Sequence, residues 1–587
     1  MFGKIVYISN NIAHIAKSPT MNASNLMNMH IVLEDNNKKI LSEVDDISED
    51  LIKVRFLGEF VNGKFVGGVI RKPSTDAKLR LITSDELQII VGSNKKGSFQ
   101  LGSSPLYNSY PIMVNVNDMF SHHMAIFGNS GFGKSYGVAK MLQNLFNNPN
   151  FVPYKANILL FDAYGEYHNA FSNFDKLNPN YQFKYYTTNK NDTDGQLLEI
   201  PLWLLDNDDL AILLQATEHS QLPIIEHTSK LVRIFASNDE KATKYKNHLM
   251  AKAIMTILYS NQSATSKRND IFSIFNTCQT PEFNPEAEVK GVGYTRKFRE
   301  CFLIDNKDNF SESVLLSEYV SKFIDDELDQ YEEKSTNYFN LNDLEKALNF
   351  ALISEGIMHN EKAYASAISL KVRLHSIAIS KYADYFNVKN FMTKDKFISS
   401  LISKNNKKAQ IINFNLEDVD DWFGKFVVKL YVKLLFSFTK NLPNRASIPF
   451  HVFLEEAHRY VQKDNDNYLI GYNIFERVAK EGRKYGMILN LISQRPVEIS
   501  DTVISQMANF LIFKINHPSD LAYIEKMVPN ISSDVLEKQK SLQSGTCVAF
   551  GRMMKIPMIV KMELPNPEPH SSNAHVFDKW MIQWKNN

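Results

Sequence analysis

Eight consecutive residues constrain this chain more than any other feature. Gly128, Asn129, Ser130, Gly131, Phe132, Gly133, Lys134 and Ser135 form a complete G-x-x-x-x-G-K-S. A brief apolar strand pattern, His123–Phe127, precedes them, and a helical pattern from about Lys134 to Phe146 follows. Strand, glycine-rich loop and helix in that order make a phosphate-binding P-loop. The glycines let the backbone curl so that its N–H groups point at phosphate oxygens. Lys134 then brings positive charge to the β- and γ-phosphates, and the Ser135 hydroxyl ligates Mg²⁺. An α/β fold with ATP and Mg²⁺ as cofactors is the expectation.

A P-loop needs an acidic strand beside it. Phe450–Leu454 is a buried-strand pattern ending in Glu455 and Glu456. Glu455 is expected to hold Mg²⁺ or its water, and Glu456 to polarise the attacking water. The plainer reading of the pair is an acidic first turn that caps the following helix. A third strand end, Asn157 to Phe161, runs into Asp162, Gly165 and Glu166. Asp162 and Glu166 either approach the nucleotide, if their strand lies beside the P-loop strand, or form an acidic turn with Gly165 at positive φ. Gly486 closes a helix bearing Arg477, Glu481, Arg483 and Lys484. Those basic groups either offset the helix dipole or lend an arginine to a neighbouring subunit's γ-phosphate. The strand Met487–Ile492 then ends at Gln494, a candidate γ-phosphate sensor.

With 587 residues the chain exceeds one ordinary core. Residues 1–95 show short β-branched and aromatic runs punctuated by Asn, Asp and Gly, which predicts a small β-barrel. Asn62-Gly63 is a turn signal inside it. Residues 96–118 lie in a Gly-, Ser-, Asn- and Pro-rich stretch read as a linker. Residues 119–204 and 406–565 carry the strand–loop–helix grammar, interrupted by a polar helical insertion at 205–405. Residues 566–587 form a tail in which Trp580 and Trp584 make an apolar stripe. Lys plus Arg number 66 against 65 Asp plus Glu, so a basic coat is excluded and any nucleic-acid surface must be local. Cys278, Cys301 and Cys547 lie far apart, which argues against a zinc module or a disulfide framework. The most apolar helical stretch, Trp422 to Phe438, carries Lys425, Lys429 and Lys433, which marks a solvated face rather than a membrane span. A cytoplasmic protein without a membrane partner is expected.

In order and spacing, the GNSGFGKS loop, DAYGEY, FLEEAHRY and the run from Arg477 through EGRKYG to SQRP resemble the HerA family, in the FtsK–HerA group. The likeness spans roughly residues 1–205 and 405–565. It implies a RecA-like core carrying an N-terminal barrel, and a homohexameric ring acting on double-stranded DNA as a translocase or helicase. It also implies a partner nuclease or a sirtuin-type or other effector subunit, in antiphage defence or DNA-end processing. By the same likeness Lys134 and Ser135 bind phosphate and Mg²⁺, Glu456 is the catalytic carboxylate, Arg483 acts in trans and Gln494 is the polar sensor. Two positions depart from the family pattern: Ala163-Tyr164 replace Pro-His, and His122 stands where relatives carry Arg or Lys. A non-motor alternative is an ATP-binding ring that scaffolds and gates an effector.

Overall fold

The computed structural model describes residues 2–18, 26–237, 239–330, 338–354, 361–464, 466–528, 533–571 and 576–581; Trp584 lies outside them. The chain divides into two compact units. One comprises Met1–Gln196, Ile398–Asp464 and Asn473–Asn587, the other Leu197–Phe397 with Asn465–Tyr472.

The first unit is built on a mixed sheet whose centre is parallel. Its parallel strands run, in order, Phe183–Thr187, Ile411–Asn415, Ile158–Asp162, Phe450–Leu454, Met487–Ser493, Met124–Phe127 and Asn509–Ile512. Nearly every residue in these runs is buried, because helices cover a parallel sheet and leave neither face for polar side chains. The helix Lys134–Phe146 sends Val138, Met141, Leu142 and Leu145 into that core. The helix Asp421–Lys440 packs Tyr431 on Phe161 and Phe414. The lysine stripe expected to be solvated on that helix is partly inside: Lys429 is buried and donates to Asp464 at 2.6 Å. A buried ammonium needs such a counter-charge.

Beyond Asn509–Ile512 the sheet turns antiparallel through Thr546–Gly551 and Met558–Lys561. It continues into Ser98–Ser104 and Tyr110–Asn115. Residues 96–118 are therefore not a linker. Phe99, Leu101, Ile112 and Val114 are all buried at strand spacing, and Val116–Phe120 is a short helix. The Gly and Ser residues between those apolar positions disguised a hairpin as a loop.

The described part of residues 1–95 holds a seven-stranded antiparallel sheet around Ile15, Ile31, Leu33, Val44, Ile52 and Val54. Asn62 and Gly63 take φ values of 48° and 71° between its strands Leu51–Val61 and Lys64–Gly67, the geometry of a two-residue hairpin turn. A second such turn at Asn36-Asn37 joins His30–Asp35 to Lys38–Ile47. That last strand is so charged that its sequence hides it. The helix Ser84–Val91, capped by Thr83 and Glu86, sends Leu87, Ile90 and Val91 into the main core rather than into this sheet.

The second unit is mostly helical. Its longer helices are Leu222–Ala236, Glu240–Leu258, Ala264–Thr277, Leu341–Ser354 and Glu361–Ile379. A hairpin of Glu288–Gly291 and Tyr294–Lys297 interrupts them. Phe275, Phe283, Phe298 and Tyr319 form an aromatic cluster there. Among the described residues no helix is long and apolar enough to cross a membrane.

Candidate nucleotide site

The P-loop leaves the sheet where Phe127 lies level with Ser493 on one side and Ile512 on the other. All three of its glycines take positive φ, and at two of them a Cβ would also clash. Gly128 has φ 157°, and a Cβ there would meet Phe513 Cβ at 2.5 Å. Gly133 has φ 94°, and a Cβ would come within 3.1 Å of the backbone of Gly545. The turn around Gly545 braces the loop from behind: its N–H donates to Phe132 O at 3.1 Å, and Ser544 Oγ donates to Gly131 O at 3.1 Å. Asn129 N–H donates to Lys514 O at 2.9 Å, while Ser130 and Gly131 remain exposed. The helix starting at Lys134 has no side-chain cap, so its first N–H groups are free to meet an anion. Lys134 Nζ donates to Asn129 O at 3.1 Å, across the mouth of the loop. Burial lowers the Lys134 pKa, against the pull of Glu456, Glu455 and Glu166.

The acidic strand end lies beside this loop. Glu455 N–H donates to Phe161 O at 3.0 Å, which keeps Glu455 in the ladder. Its Oε1 accepts from Ser135 Oγ at 3.1 Å, and its Oε2 is buried without a partner. Burial, and then the negative Asp162 and Glu166, push the Glu455 carboxyl well above its ordinary range. Glu456 does not continue the strand: it takes the left-handed conformation, φ 47° and ψ 48°. Strand alternation therefore does not separate the two carboxylates, and both act on Lys134. Such a conformation costs a non-glycine residue about 1–2 kcal/mol and recurs at functional sites. Burial raises the Glu456 pKa too, opposed by Lys134 and by the backbone N–H of Gln494. His458 Nδ1 sits 3.2 Å from Glu456 Oε2 and 3.0 Å from Ser493 Oγ. The motif containing His458 was visible in sequence; what it contacts was not, because Ser493 comes from another strand.

Asp162 answers differently from its expected position. Its strand is separated from the P-loop strand by Phe450–Leu454 and Met487–Ser493. Its carboxylate accepts from the N–H groups of Glu166 at 3.0 Å and Tyr167 at 2.9 Å, and from Asn413 Nδ2 at 3.2 Å. Asp162 is thus the anchor of a tight turn, in which Gly165 takes φ 70°. What the turn delivers is Glu166, whose pKa burial raises and whose carboxylate lies near the Ser135 and Ser571 hydroxyls.

Gln494 follows directly on Ser493, beside the P-loop strand, and is half-buried. Arg483 is exposed in the turn that Gly486 closes at φ 82°. Its charge acts on His122 and His123, at the entry of the P-loop strand and so at the sheet edge away from the loop. Burial lowers the His123 pKa to about 4, and its neutral Nδ1 accepts from Leu489 N–H at 2.9 Å.

Residues 99–286 match the family described as Helicase HerA, central domain. Over 186 residues the chain is 31% identical to the DNA double-strand break repair helicase HerA of Saccharolobus solfataricus, covering 31% of this chain and 37% of that one. It is 27% identical over 270 residues to the protein of the same name from Sulfurisphaera tokodaii, covering 45% and 52%. Against that of Pyrococcus furiosus it is 21% identical over 575 residues, covering 96% of this chain and 87% of the relative. The aligned stretches thus span about half or less of the first two relatives. Among solved structures, the bacterial conjugative coupling protein TrwBdeltaN70 superposes with a TM-score of 0.43 at 12% identity, covering 84% of this chain and 94% of that one. Over residues 99–286 the chain thus matches the HerA central domain, and in the order of its motifs it is similar to the HerA helicases.

Proposed function

We propose that this chain hydrolyses ATP to move double-stranded DNA, working as a hexameric ring with a separate effector subunit. One observation carries the reading: Lys134, Ser135, Glu455 and Glu456, drawn from positions more than 300 residues apart, converge on one P-loop. The loop N–H groups and Lys134 hold the phosphates. The orphaned Oε2 of Glu455, beside its Oε1 and the Ser135 hydroxyl, is a set of hard oxygen donors that suits Mg²⁺. Bound there, Mg²⁺ would neutralise charge developing on the phosphates. Glu456 accepts the proton of the attacking water, and its raised pKa brings it nearer to neutrality as a base. Gln494, whose N–H orients that carboxylate, sets the water or senses the γ-phosphate.

Arg483 is exposed at the sheet edge away from its own P-loop, which supports service to a neighbouring copy's site in a closed ring. The effector, a nuclease or an NAD-consuming enzyme in antiphage defence or DNA-end processing, is assigned to the N-terminal sheet. Val6, Tyr7, Val66 and Ile70 are all more than half exposed there. ATP turnover measured with and without linear duplex DNA tests the motor. Stimulation of at least about tenfold is expected, and turnover indifferent to DNA would favour a gating scaffold.

A further inference from the structure

Residues 563–571 read Glu-Leu-Pro-Asn-Pro-Glu-Pro-His-Ser. Proline at every second position fixes φ and removes backbone donors, so this segment is stiff and joins no sheet. It lies as a strap along one face of the helix Lys134–Phe146, where Tyr136, Lys140 and Gln143 stand at i, i+4 and i+7. Lys140 Nζ pairs with Glu563 at 3.1 Å. Gln143 is only 3% exposed, and a buried amide is costly unless its groups are paired. Its Oε1 accepts from Asn566 N–H at 2.8 Å, and its Nε2 donates to Pro567 O at 2.9 Å and to Ala170 O at 3.1 Å. The strap thus completes the hydrogen bonding of the P-loop helix. Tyr136 OH, one residue beyond Ser135, donates to Glu568 Oε2 at 3.3 Å.

The strap ends on the turn that Asp162 anchors. Asn169 Nδ2 donates to Glu568 O at 2.8 Å, and His570 N–H donates to Glu166 O at 2.7 Å. The turn is therefore held from two sides, by the Asp162 carboxylate within and by the strap outside. Ser571, the next residue, brings its hydroxyl near the Glu166 carboxylate, which also lies near the Ser135 hydroxyl. Glu166 Oε2 is buried and accepts no hydrogen bond.

A serine hydroxyl has one hydrogen to donate and lone pairs to offer. Ser135 here donates to Glu455 Oε1, a carboxylate that the proposed function assigns to Mg²⁺. Once both oxygens serve the metal, the Ser135 hydrogen needs another acceptor. We propose that Glu166 is that acceptor, and that Ser571, carried to it by the strap, is the positioning residue that holds its carboxylate toward Ser135. The inference rests on the P-loop reading above. Acceptors that orient a metal ligand are worth about 10–100-fold in metal affinity.

Calorimetric titration of the full chain with adenylyl imidodiphosphate, with Mg²⁺ and again with EDTA, tests this without reference to turnover. The readout is the ratio of the two affinities, because a merely structural role lowers both and leaves the ratio unmoved. Glu166→Ala is expected to lower the ratio about tenfold. Ser571→Ala should lower it about fivefold, the effect of one lost hydrogen bond, and Ser571→Thr, which keeps the hydroxyl, should restore it. The double variant should match Glu166→Ala alone. A wild-type ratio in Ser571→Ala would overturn the proposal, as would an equal further loss when Ser571→Ala is added to Glu166→Ala. Lys134→Ala in the same titration keeps the two readings apart. Analogue affinity indifferent to Lys134→Ala would overturn the P-loop reading and this proposal with it, whereas Lys134-dependent affinity with an unmoved ratio overturns this proposal alone.

Discussion

At the scale of single residues, the site holds its negative charge under strain. Glu455 and Glu456 both have pKa values raised chiefly by burial, and Glu455 Oε2 lacks a hydrogen-bond partner. Lys134→Ala should reduce ATP turnover to background. Glu456→Gln should keep nucleotide binding and lose at least about 100-fold in turnover, the usual contribution of a general base. Filter binding beside a phosphate-release assay separates the two effects. Wild-type turnover should rise with pH through a range above the ordinary carboxylate value, as Glu456 loses its proton. The residual turnover of Glu456→Gln should lack that limb. Glu455 has a consequence for stability. Its pKa is raised in the fold, so ionising it opposes folding, and stability is lost as pH climbs from the unfolded value near 4.3 toward the folded one. Glu455→Gln should therefore raise the melting temperature of the nucleotide-free protein more at pH 8 than at pH 5. No difference between the two pH values would contradict the buried placement of Glu455.

At the scale of elements, the helix Ser533–Lys540 joins the N-terminal sheet to the nucleotide core. Lys538 forms a buried ion pair with Glu43 of the sheet. The next residue, Gln539, accepts from Ile515 N–H at 2.7 Å, beside the segment that holds Asn129. Glu43 is buried deeply enough that desolvation raises its pKa even against the Lys538 charge. Lys538→Met should therefore destabilise by about 3–5 kcal/mol, because it strands a buried carboxylate. Glu43→Met together with Lys538→Met should recover most of that loss, as read from chemical unfolding. The same packing bears on how the proposed effector surface can be tested. Val32 and Leu41 of the sheet belong to the main core, so removing residues 1–95 would open that core. Ile70→Asp and Tyr7→Asp leave it closed, and are expected to weaken partner binding without changing turnover.

At the scale of the whole molecule, the proposed ring is tested by mixing. Arg483→Ala and Lys134→Ala should each be inactive alone. Mixed rings contain some interfaces with an intact loop facing an intact arginine, and partial turnover should return, measured as a function of the mixing ratio. No recovery under conditions of demonstrated subunit exchange would assign Arg483 to the helix end alone.

The P-loop, the Phe450–Leu454 strand with its two carboxylates and the parallel character of the core were legible in the residues. Each is a local pattern with a local cause: glycine spacing, or an unbroken apolar run. The Ser98–Ser104 and Tyr110–Asn115 hairpin was not legible, because small residues masked its period of two, nor was Lys38–Ile47, whose charges look like a loop. Strand order was equally beyond a linear reading. Only the fold sets two strands between Ile158–Asp162 and the P-loop strand, making Asp162 the anchor of a turn and Glu166 the group it delivers. Only the fold turns Glu456 out of its strand toward His458 and the Gln494 N–H. Sequence period reports which residues must be buried; which buried residues meet is decided by packing between segments hundreds of residues apart.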